Sequence, residues 1–509
     1  MRRALLGTGL ALALALVLPT FGLAATPPVK HVFVIVLENE NADSTFGANS
    51  KAPYLARTLP AQGQFVPNFY AVTHLSLGNY IALVSGQGSN IETQADCNVF
   101  SEFSPGTIGA DGQAIGQGCV YPTTVKTVAD QLSAKGLTWK GYMEDMGNTP
   151  AEGTTCRHPA IGQQDHTQSA EAGDQYAARH NPFVYFHSII DSPSCAQNDV
   201  PLDRMPADLR SASTTGNYTF ITPNLCHDGH DEPCANGEPG GLVSADAFLR
   251  KWIPEIQASP AYRQGGMIVV TFDEAEAGPG GDADSSACCD QPQFPNTPNN
   301  GGPTPGQGGG RIGAVVLSPF VKPGTTNQTA YNHFSFLRSV EDIFGVDHLG
   351  YAARAGLKTF GAEVFNAGAP QLKRLAVRPV RLLAARAAAR KGATISYELT
   401  QPARVSFALD RGLLGRRSRG KCRKPTRRNR RGRPCRRYKR MRGSFAQNGV
   451  AGANSLPFKG RLRGKRLKAG HYRLVAAASG YDGKSRRATR YFRVKAAKKK
   501  KRVAKRRRR

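Results

Sequence analysis

Four short runs of this chain are apolar almost from end to end, and they narrow the folds open to it more than any other feature. They are His31–Leu37 (HVFVIVL), Tyr218–Thr222, Gly266–Phe272 and Ile312–Leu317. A strand with one face in water alternates apolar and polar residues, because successive side chains point to opposite faces. A continuous run rich in Val and Ile is what a strand covered on both faces requires. Helical spacing fills the gaps, over Asn79 to Ser85, Thr124 to Lys135, Ala245 to Ala258 and His333 to Phe344. Buried strands alternating with helices predict an α/β fold with a largely parallel sheet flanked by helices. In such sheets ligands bind beyond the carboxyl ends of the strands. The Gly-, Pro-, Asn- and Asp-rich stretch from Ala275 to Gly310 reads as one long loop, either a lid over a site or an unstructured connection.

Charge divides the chain in two. From Gln371 onward there are 48 Lys and Arg against 3 acidic residues, whereas the first 370 residues hold 20 against 34. An acidic body is followed by a basic appendage, and each needs its own explanation. Within the appendage, 366–391 reads as an Ala/Arg-rich linker with a possible helix over Arg378 to Arg390. Short alternating runs at Thr394–Leu399, Arg404–Leu409, His471–Ala476 and Arg490–Val494 then predict a small basic all-β sandwich-like domain over 392–495. Residues 496–509 are too charged to fold and read as a disordered Lys/Arg tail. A surface this positive selects polyanions, namely anionic cell-wall polymers or lipid headgroups, with nucleic acid less favoured for want of a recognisable motif; the bland alternative is a solvated face.

The first 25 residues carry Arg2 and Arg3, an apolar run from Ala4 to about Val17 and small residues at Gly22, Ala24 and Ala25. This is the pattern of a signal peptide, with an uncleaved anchor as the alternative. It predicts a secreted, extracellular protein, with association at the cell surface as a further option. Ten cysteines fit an oxidising compartment. Close spacing suggests Cys226 with Cys234 and Cys422 with Cys435; Cys97 with Cys119 and Cys156 with Cys195 are further options, and Cys288–Cys289 reads as disulfide-forming rather than metal-binding.

Polar clusters follow the buried runs. Glu38 and Asn39 come after the first, Asp273 and Glu274 after the third, and Asn224 to Asp231 (NLCHDGHD) after the second; His333 opens a predicted helix. Alone, a carboxylate after a strand is more often a turn or cap residue. Together, at the edge where such a sheet binds ligands, these residues suit a divalent cation. A divalent cation would neutralise a phosphate ester's charge and polarise its phosphorus. The set is rich in oxygen, so Mg, Ca and Mn are as acceptable as Zn, with one or two ions expected. In Thr73-His-Leu-Ser-Leu-Gly-Asn-Tyr80, Ser76 would sit at a helix N-terminus, where free N–H groups favour phosphate, and Asn79 could donate to a non-bridging oxygen. Ser76 as a mere N-cap is the competing reading.

The segment from about Lys30 to Tyr351 resembles the bacterial phosphoesterase family that groups acid phosphatases with phospholipases C, within the alkaline-phosphatase-like superfamily. The resemblance rests on Val34-Ile-Val-Leu-Glu-Asn39, His74-x-Ser-x-x-Asn-Tyr80, Asn181-Pro-Phe-Val-Tyr-Phe186, Thr222-Pro-Asn-Leu-Cys-His-Asp-Gly-His-Asp231, Val270-Thr-Phe-Asp-Glu274, Leu317-Ser-Pro319 and Tyr331-Asn-His-Phe-Ser335. Leu75 and Gly78 stand where family members usually carry Pro. The resemblance implies a catalytic domain over 26–365. It implies a serine nucleophile at Ser76, a phosphate-binding Asn79 and metal ligands Glu38, Asn39, Asp228, His230, Asp273, Glu274 and His333. Asn224 and His227 lie near that set. His74 is a further candidate, for proton transfer or support. The expected activity is metal-dependent hydrolysis of phosphate esters, of acid-phosphatase type, by a monomer. The alternatives are a phospholipase C and a non-catalytic polyanion-binding surface protein. Intact Glu38, Ser76, Asp273 and His333 speak against decay, and the lack of a Cys-x-Pro-x-Arg motif speaks against a sulfatase.

Overall fold

A computed structural model describes residues 27–276, 284–383 and 392–496. The expected signal peptide, residues 384–390 of the helix expected over Arg378 to Arg390, and most of the expected tail therefore lie outside the described residues; the described part of that helix, 378–383, is strand and bend instead. An eight-stranded sheet organises the first part of the chain. Its strands are β1 (His31–Leu37), β2 (Gln64–Val66), β3 (Trp139–Met143), β4 (Asp199–Pro201), β5 (Tyr218–Thr222), β6 (Gly266–Phe272), β7 (Ala314–Leu317) and β8 (Thr325–Thr326). Their order across the sheet is β8-β2-β7-β6-β1-β5-β3-β4. β1 lies at the centre, parallel to β5 on one side and to β6 on the other. β3 continues the parallel set from β5, and β4 from β3. Only β7 runs antiparallel to its neighbours β6 and β2. Every residue of β1 and β6 is buried, as their unbroken apolar runs require. β3 (WKGYM) was not expected, because Lys140 and Gly141 interrupt its apolar pattern.

The helices that matter for the site are α1 (Ser76–Ser85), α2 (Val128–Ala134), α3 (Gly241–Ala258) and α4 (His333–Phe344). Their ends follow from local chemistry. α1 begins three residues before its expected start, with the Asp96 carboxylate accepting from the Leu77 N–H, and it stops at Gly86 in the left-handed region. α2 begins at Val128 because Thr127 and Asp130 form a capping box there. α4 starts at His333 because the Asn332 side chain caps the Ser335 N–H, and Gly345 closes it.

Described residues of the long loop are fixed rather than free. Ala275 N–H donates to Gly309 and Gly310 N–H to Ser286, while Phe294 packs against Phe334 and Tyr351. The loop's glycines allow it to lie on the backbone before α1: a Cβ at Gly302 would collide with the His74 carbonyl, and one at Gly309 with that of Thr73.

Most buried apolar side chains form one cluster from Val29 to Phe365 and a second from Leu375 to Val494, with a small separate group of Val72, Ala82, Phe294, Phe334 and Tyr351. The second belongs to two sheets, antiparallel but for one parallel pair at the edge of the larger. One runs β9 (Leu372–Arg378), β11 (Ala393–Leu399), β15 (Gly452–Phe458). The other runs β10 (Arg381–Leu383), β17 (Ala488–Lys495), β16 (Gly470–Gly480), β12 (Ala403–Ser418), and β13 (Lys421–Arg423) and β14 (Pro434–Gly449) also pair with β12. β9 and β10 fall in the stretch expected to be an Ala/Arg-rich linker. Leu375 and Val377 point into the core, a period-two signal hidden by the flanking arginines. All ten cysteines are paired: Cys97–Cys119, Cys156–Cys195, Cys226–Cys234, Cys288–Cys289 and Cys422–Cys435. Among the described residues no helix is long and apolar enough to cross a membrane.

Candidate active site

Because β1, β5 and β6 are parallel and adjacent, the residues that follow them emerge at one edge. Glu38 follows β1, Asp273 and Glu274 follow β6, and Asp228 lies in the loop after β5. Backbone bonds lock these exits together: Glu38 N–H donates to Asp228 O, and Asp273 N–H to Leu37 O. Asn39 adopts a left-handed φ of 55°, a conformation Asn tolerates better than most residues. Its N–H donates to Asp273 Oδ1 at 3.1 Å, and its side chain donates to Glu38 Oε2 at 3.1 Å.

Ser76 is the first residue of α1, and the N-cap is Leu75. The N-cap reading of Ser76 is therefore excluded. Its Oγ instead donates to Glu38 Oε2 at 2.9 Å, and Tyr80, one turn on, donates to Glu38 Oε1 at 2.6 Å. A cleft of about 960 Å³ opens over Ser76, lined also by Asn39, Glu274, Asp96, Arg179 and His230. Its apolar side chains are Ala48, Leu75 and Leu242, while Glu40, Asp43, Glu232 and Glu276 contribute acidic groups.

Glu38, Asp228, Asp273 and Glu274 are buried. Burial pushes all four carboxyls above their ordinary range. Asp273 and Asp228 add repulsion at Glu38, and Asp273 adds it at Glu274. Asp273 Oδ1 accepts two backbone N–H groups, from Asn39 and Glu274, but its Oδ2 has no partner, nor do Asp228 Oδ2 and Glu274 Oε1. His333 donates Nε2–H to the Asp273 carbonyl at 2.6 Å, which leaves its Nδ1 lone pair unpartnered; burial pushes this ring down to about 4, so it is neutral. Unpaired buried acceptors around concentrated negative charge are what a divalent cation would satisfy, and the donor set is of the oxygen-rich type such cations take. Tighter groups of three such atoms occur elsewhere, at Cys156–Cys195–Asp199 and Cys226–His227–Glu238, but both include disulfide cysteines, which cannot ligate. Glu274 lines the cleft, and Glu38, Asp228 and Asp273 are buried behind it in a looser grouping.

Three expectations change. Asn79 is not free to meet phosphate. Its Nδ2 donates to the Thr73 and Leu75 carbonyls, and its Oδ1 accepts from Val72 and Thr73, so it holds the turn that presents Ser76. Replacing it with Ala should lower unfolding free energy by about 3 kcal/mol, read by urea titration, because four buried groups lose their partners. Near-normal stability with only a raised KM would instead make it a substrate contact. His74 is buried and does not line the cleft. Its Nδ1 pairs with Glu274 and its Nε2 donates to Asp284 O at 3.3 Å, so it supports Glu274 rather than serving the substrate. His230 stands at the cleft with a 52% exposed side chain, its Nδ1 3.1 Å from Asp231 Oδ1, and only its N–H reaches Asp228. The register within the His- and Asp-dense loop is the cause.

The imidazole that does enter the carboxylate ring is His180. It stacks on Tyr80 with Nε2 3.4 Å from Glu38 Oε2 and Nδ1 3.7 Å from Asp228 Oδ2, and burial holds it well below its ordinary range. Arg179 beside it is the cleft's buried cation, 3.8 Å from Asp96. Sequence reasoning missed both. They precede the NPFVYF block and follow no strand, so the only available signal was their adjacency to that block.

The chain is similar in sequence to known proteins. A family model described as "Phosphoesterase family" matches residues 49–347. A phosphatidylinositol-3-phosphatase of Mycobacterium tuberculosis is 26% identical over 339 residues, 66% of this chain and 85% of that one. A probable acid phosphatase of Kluyveromyces lactis is 25% identical over 321 residues, 63% of this chain, and only 59% of that longer protein is spanned. A solved structure of an alkaline phosphatase superfamily protein from Vibrio parahaemolyticus aligns with a TM-score of 0.38 and 11% identity over 74% of this chain and 76% of its own.

Proposed function

The chain belongs to the phosphoesterase family and is a hydrolase of phosphoric ester bonds; we propose that it is an exported, metal-dependent phosphomonoesterase with Ser76 as its nucleophile. The observation that carries this reading is Ser76 itself, at a helix N-terminus with its hydroxyl on a buried carboxylate ring and its face on the cleft. Glu38, Asn39, Asp273 and Glu274 would hold the cation, with Asp228, His180 and His333 closing the ring behind them. A bound divalent cation supplies charge neutralisation at the phosphoryl group and lowers the pKa of an oxygen it contacts.

The chain's own residues do the rest. Ser76 Oγ attacks phosphorus in line, its proton already directed at Glu38, and the bond to the leaving oxygen breaks. The Ser76 proton passes to Glu38 and is made good to the leaving oxygen by way of solvent, so the alcohol departs neutral and the phosphoryl group remains on Ser76. Water then attacks the same phosphorus, releasing inorganic phosphate and restoring the hydroxyl. Arg179 and the α1 N-terminus supply positive charge to the non-bridging oxygens. Arg179→Gln should lower kcat/KM for p-nitrophenyl phosphate by about 10²-fold and weaken inhibition by inorganic phosphate in step. Arg179→Lys should recover only part, since it lacks the planar fork. Unchanged phosphate inhibition in both variants would remove Arg179 from the site.

Polar lining favours a small or polar leaving group over a diacylglycerol, for which Ala48, Leu75 and Leu242 offer little surface. Five disulfides fit an oxidising compartment. The deciding experiment is hydrolysis of p-nitrophenyl phosphate beside p-nitrophenylphosphorylcholine, with and without chelator. Chelator-sensitive turnover of the first and little of the second is expected. The reverse preference would make the enzyme a phospholipase C, and inactivity of the metal-replete, oxidised protein on both would end the reading.

A further inference from the structure

The second half of β12 does no work for the core of its own domain. β12 pairs with β16 only as far as Arg411; beyond it, residues 412–418 pair with β14 and β13 alone. No side chain between 410 and 440 joins the buried cluster. The result is a three-stranded flap beyond the packed sheets. The Cys422–Cys435 disulfide closes it, lying against Gly415, where a Cβ would meet both sulfurs.

Residues 416–442 contain 13 Arg, 3 Lys and no acidic residue. Among the described residues, the ion pair made by this stretch is Arg440 with Asp410. Some like charges face each other directly across the ladder, such as Arg411 and Lys439, an arrangement that costs stability. A cross-linked frame that concentrates repelling charges without burying anything is explained by what those charges bind.

We propose that this flap is a docking element for a flexible, base-free linear phosphodiester polymer of the poly(glycerol phosphate) kind. Arg outnumbers Lys 13 to 3, and the guanidinium fork matches phosphate oxygens in a way an ammonium does not. The distribution selects a flexible chain over a membrane. Neighbouring residues on a strand face opposite sides, and arginines occupy neighbouring positions at Arg416 and Arg417 on β12 and at Arg436 and Arg437 on β14, while Arg427, Arg428, Arg430, Arg431 and Arg433 ring the tip. Both faces and the end are therefore charged. A flat bilayer would engage one face, whereas a flexible polymer can follow all of them. Residues 416–437 include no aliphatic or aromatic side chain to insert among lipids; exposed Leu414 lies at the flap's base. The acidic body repels the same polymer, which confines binding to this end. This inference does not depend on the catalytic reading.

The test uses the full chain, a variant with Arg427, Arg428, Arg430, Arg431 and Arg433 all changed to Gln, and a chain ending at Ala496. Each is titrated across salt concentrations with soluble poly(glycerol phosphate), with phosphatidylglycerol vesicles and with duplex DNA at equal phosphate. The polymer should bind tightest. In the five-site variant its affinity should fall by at least about 30-fold, and the slope of log K against log salt should flatten by about 3, as loss of five phosphate contacts requires. Turnover of p-nitrophenyl phosphate and Tm should not change, and the shortened chain should keep most of the affinity. Tighter binding to vesicles or DNA, undiminished binding by the five-site variant, or loss of binding with the last residues alone would each overturn the proposal.

Discussion

Ser76→Ala should abolish turnover of p-nitrophenyl phosphate, lowering kcat by roughly 10⁴-fold or more, while leaving the protein folded. The size follows from the role. A nucleophile that carries the phosphoryl group cannot be replaced by a neighbouring side chain, and the groups left behind stabilise a reaction that no longer has its first step. The structural cost is small, because the substitution removes one hydroxyl whose partner, Glu38 Oε2, keeps the Asn39 amide. Tm should therefore move by no more than one lost hydrogen bond implies, about 1 kcal/mol. A second measurement separates the nucleophile from a residue that only steadies the cation. With a series of substituted phenyl phosphates and an added alcohol acceptor, a shared phosphoserine must partition between water and the alcohol in one fixed ratio, whatever phenol left first. A ratio that tracks the leaving group, or residual turnover above about a tenth in Ser76→Ala, would assign the attack to water and reduce Ser76 to a ligand.

Ser76 also shows what the sequence made legible. A hydroxyl at a helix start after a turn is readable from local signals, as are Glu38, Asp273 and Glu274, because each follows a run too apolar to be anything but a buried strand. These readings depend on neighbours in sequence. Asn79 and His74 are readable as residues near the site but their partners are not, since a hydrogen-bond inventory is three-dimensional: Asn79 spends every side-chain polar atom on the backbone of residues 72–75. His180 and Arg179 were invisible for a related reason. They stand on a single 3-10 turn, Ala178–His180, that follows no strand, and what makes them matter is stacking on Tyr80 and approach to Asp96. In the basic half, β9 was hidden by composition, because Leu375 and Val377 sit in an arginine-rich stretch that reads as solvated.

The cation is best tested through stability as well as rate, and Asp273→Asn separates the two. Asp273 repels both Glu38 and Glu274, accepts two backbone N–H groups on Oδ1, and presents an unpartnered Oδ2. Asn keeps the shape and both backbone bonds but removes one buried negative charge and replaces a ligating oxygen with an amide nitrogen, which does not ligate. Two effects of opposite sign follow. Metal content after dialysis should fall to near zero and turnover by about 10³-fold or more, since the cation's charge stabilisation is lost. The chelated protein should nevertheless become more stable than chelated wild type, because one member of a mutually repelling buried cluster is gone. Wild-type Tm should rise when metal is restored, as any ligand that binds only the folded state requires, and the variant's should not. Elemental analysis reads the first effect and calorimetry with and without chelator reads the second. A wild-type Tm indifferent to chelation, together with undiminished metal in Asp273→Asn, would show that the carboxylate ring serves the fold alone. If metal is lost but the chelated variant is less stable than chelated wild type, the ring binds the ion yet its charges are not in conflict, and burial alone accounts for the raised carboxyls.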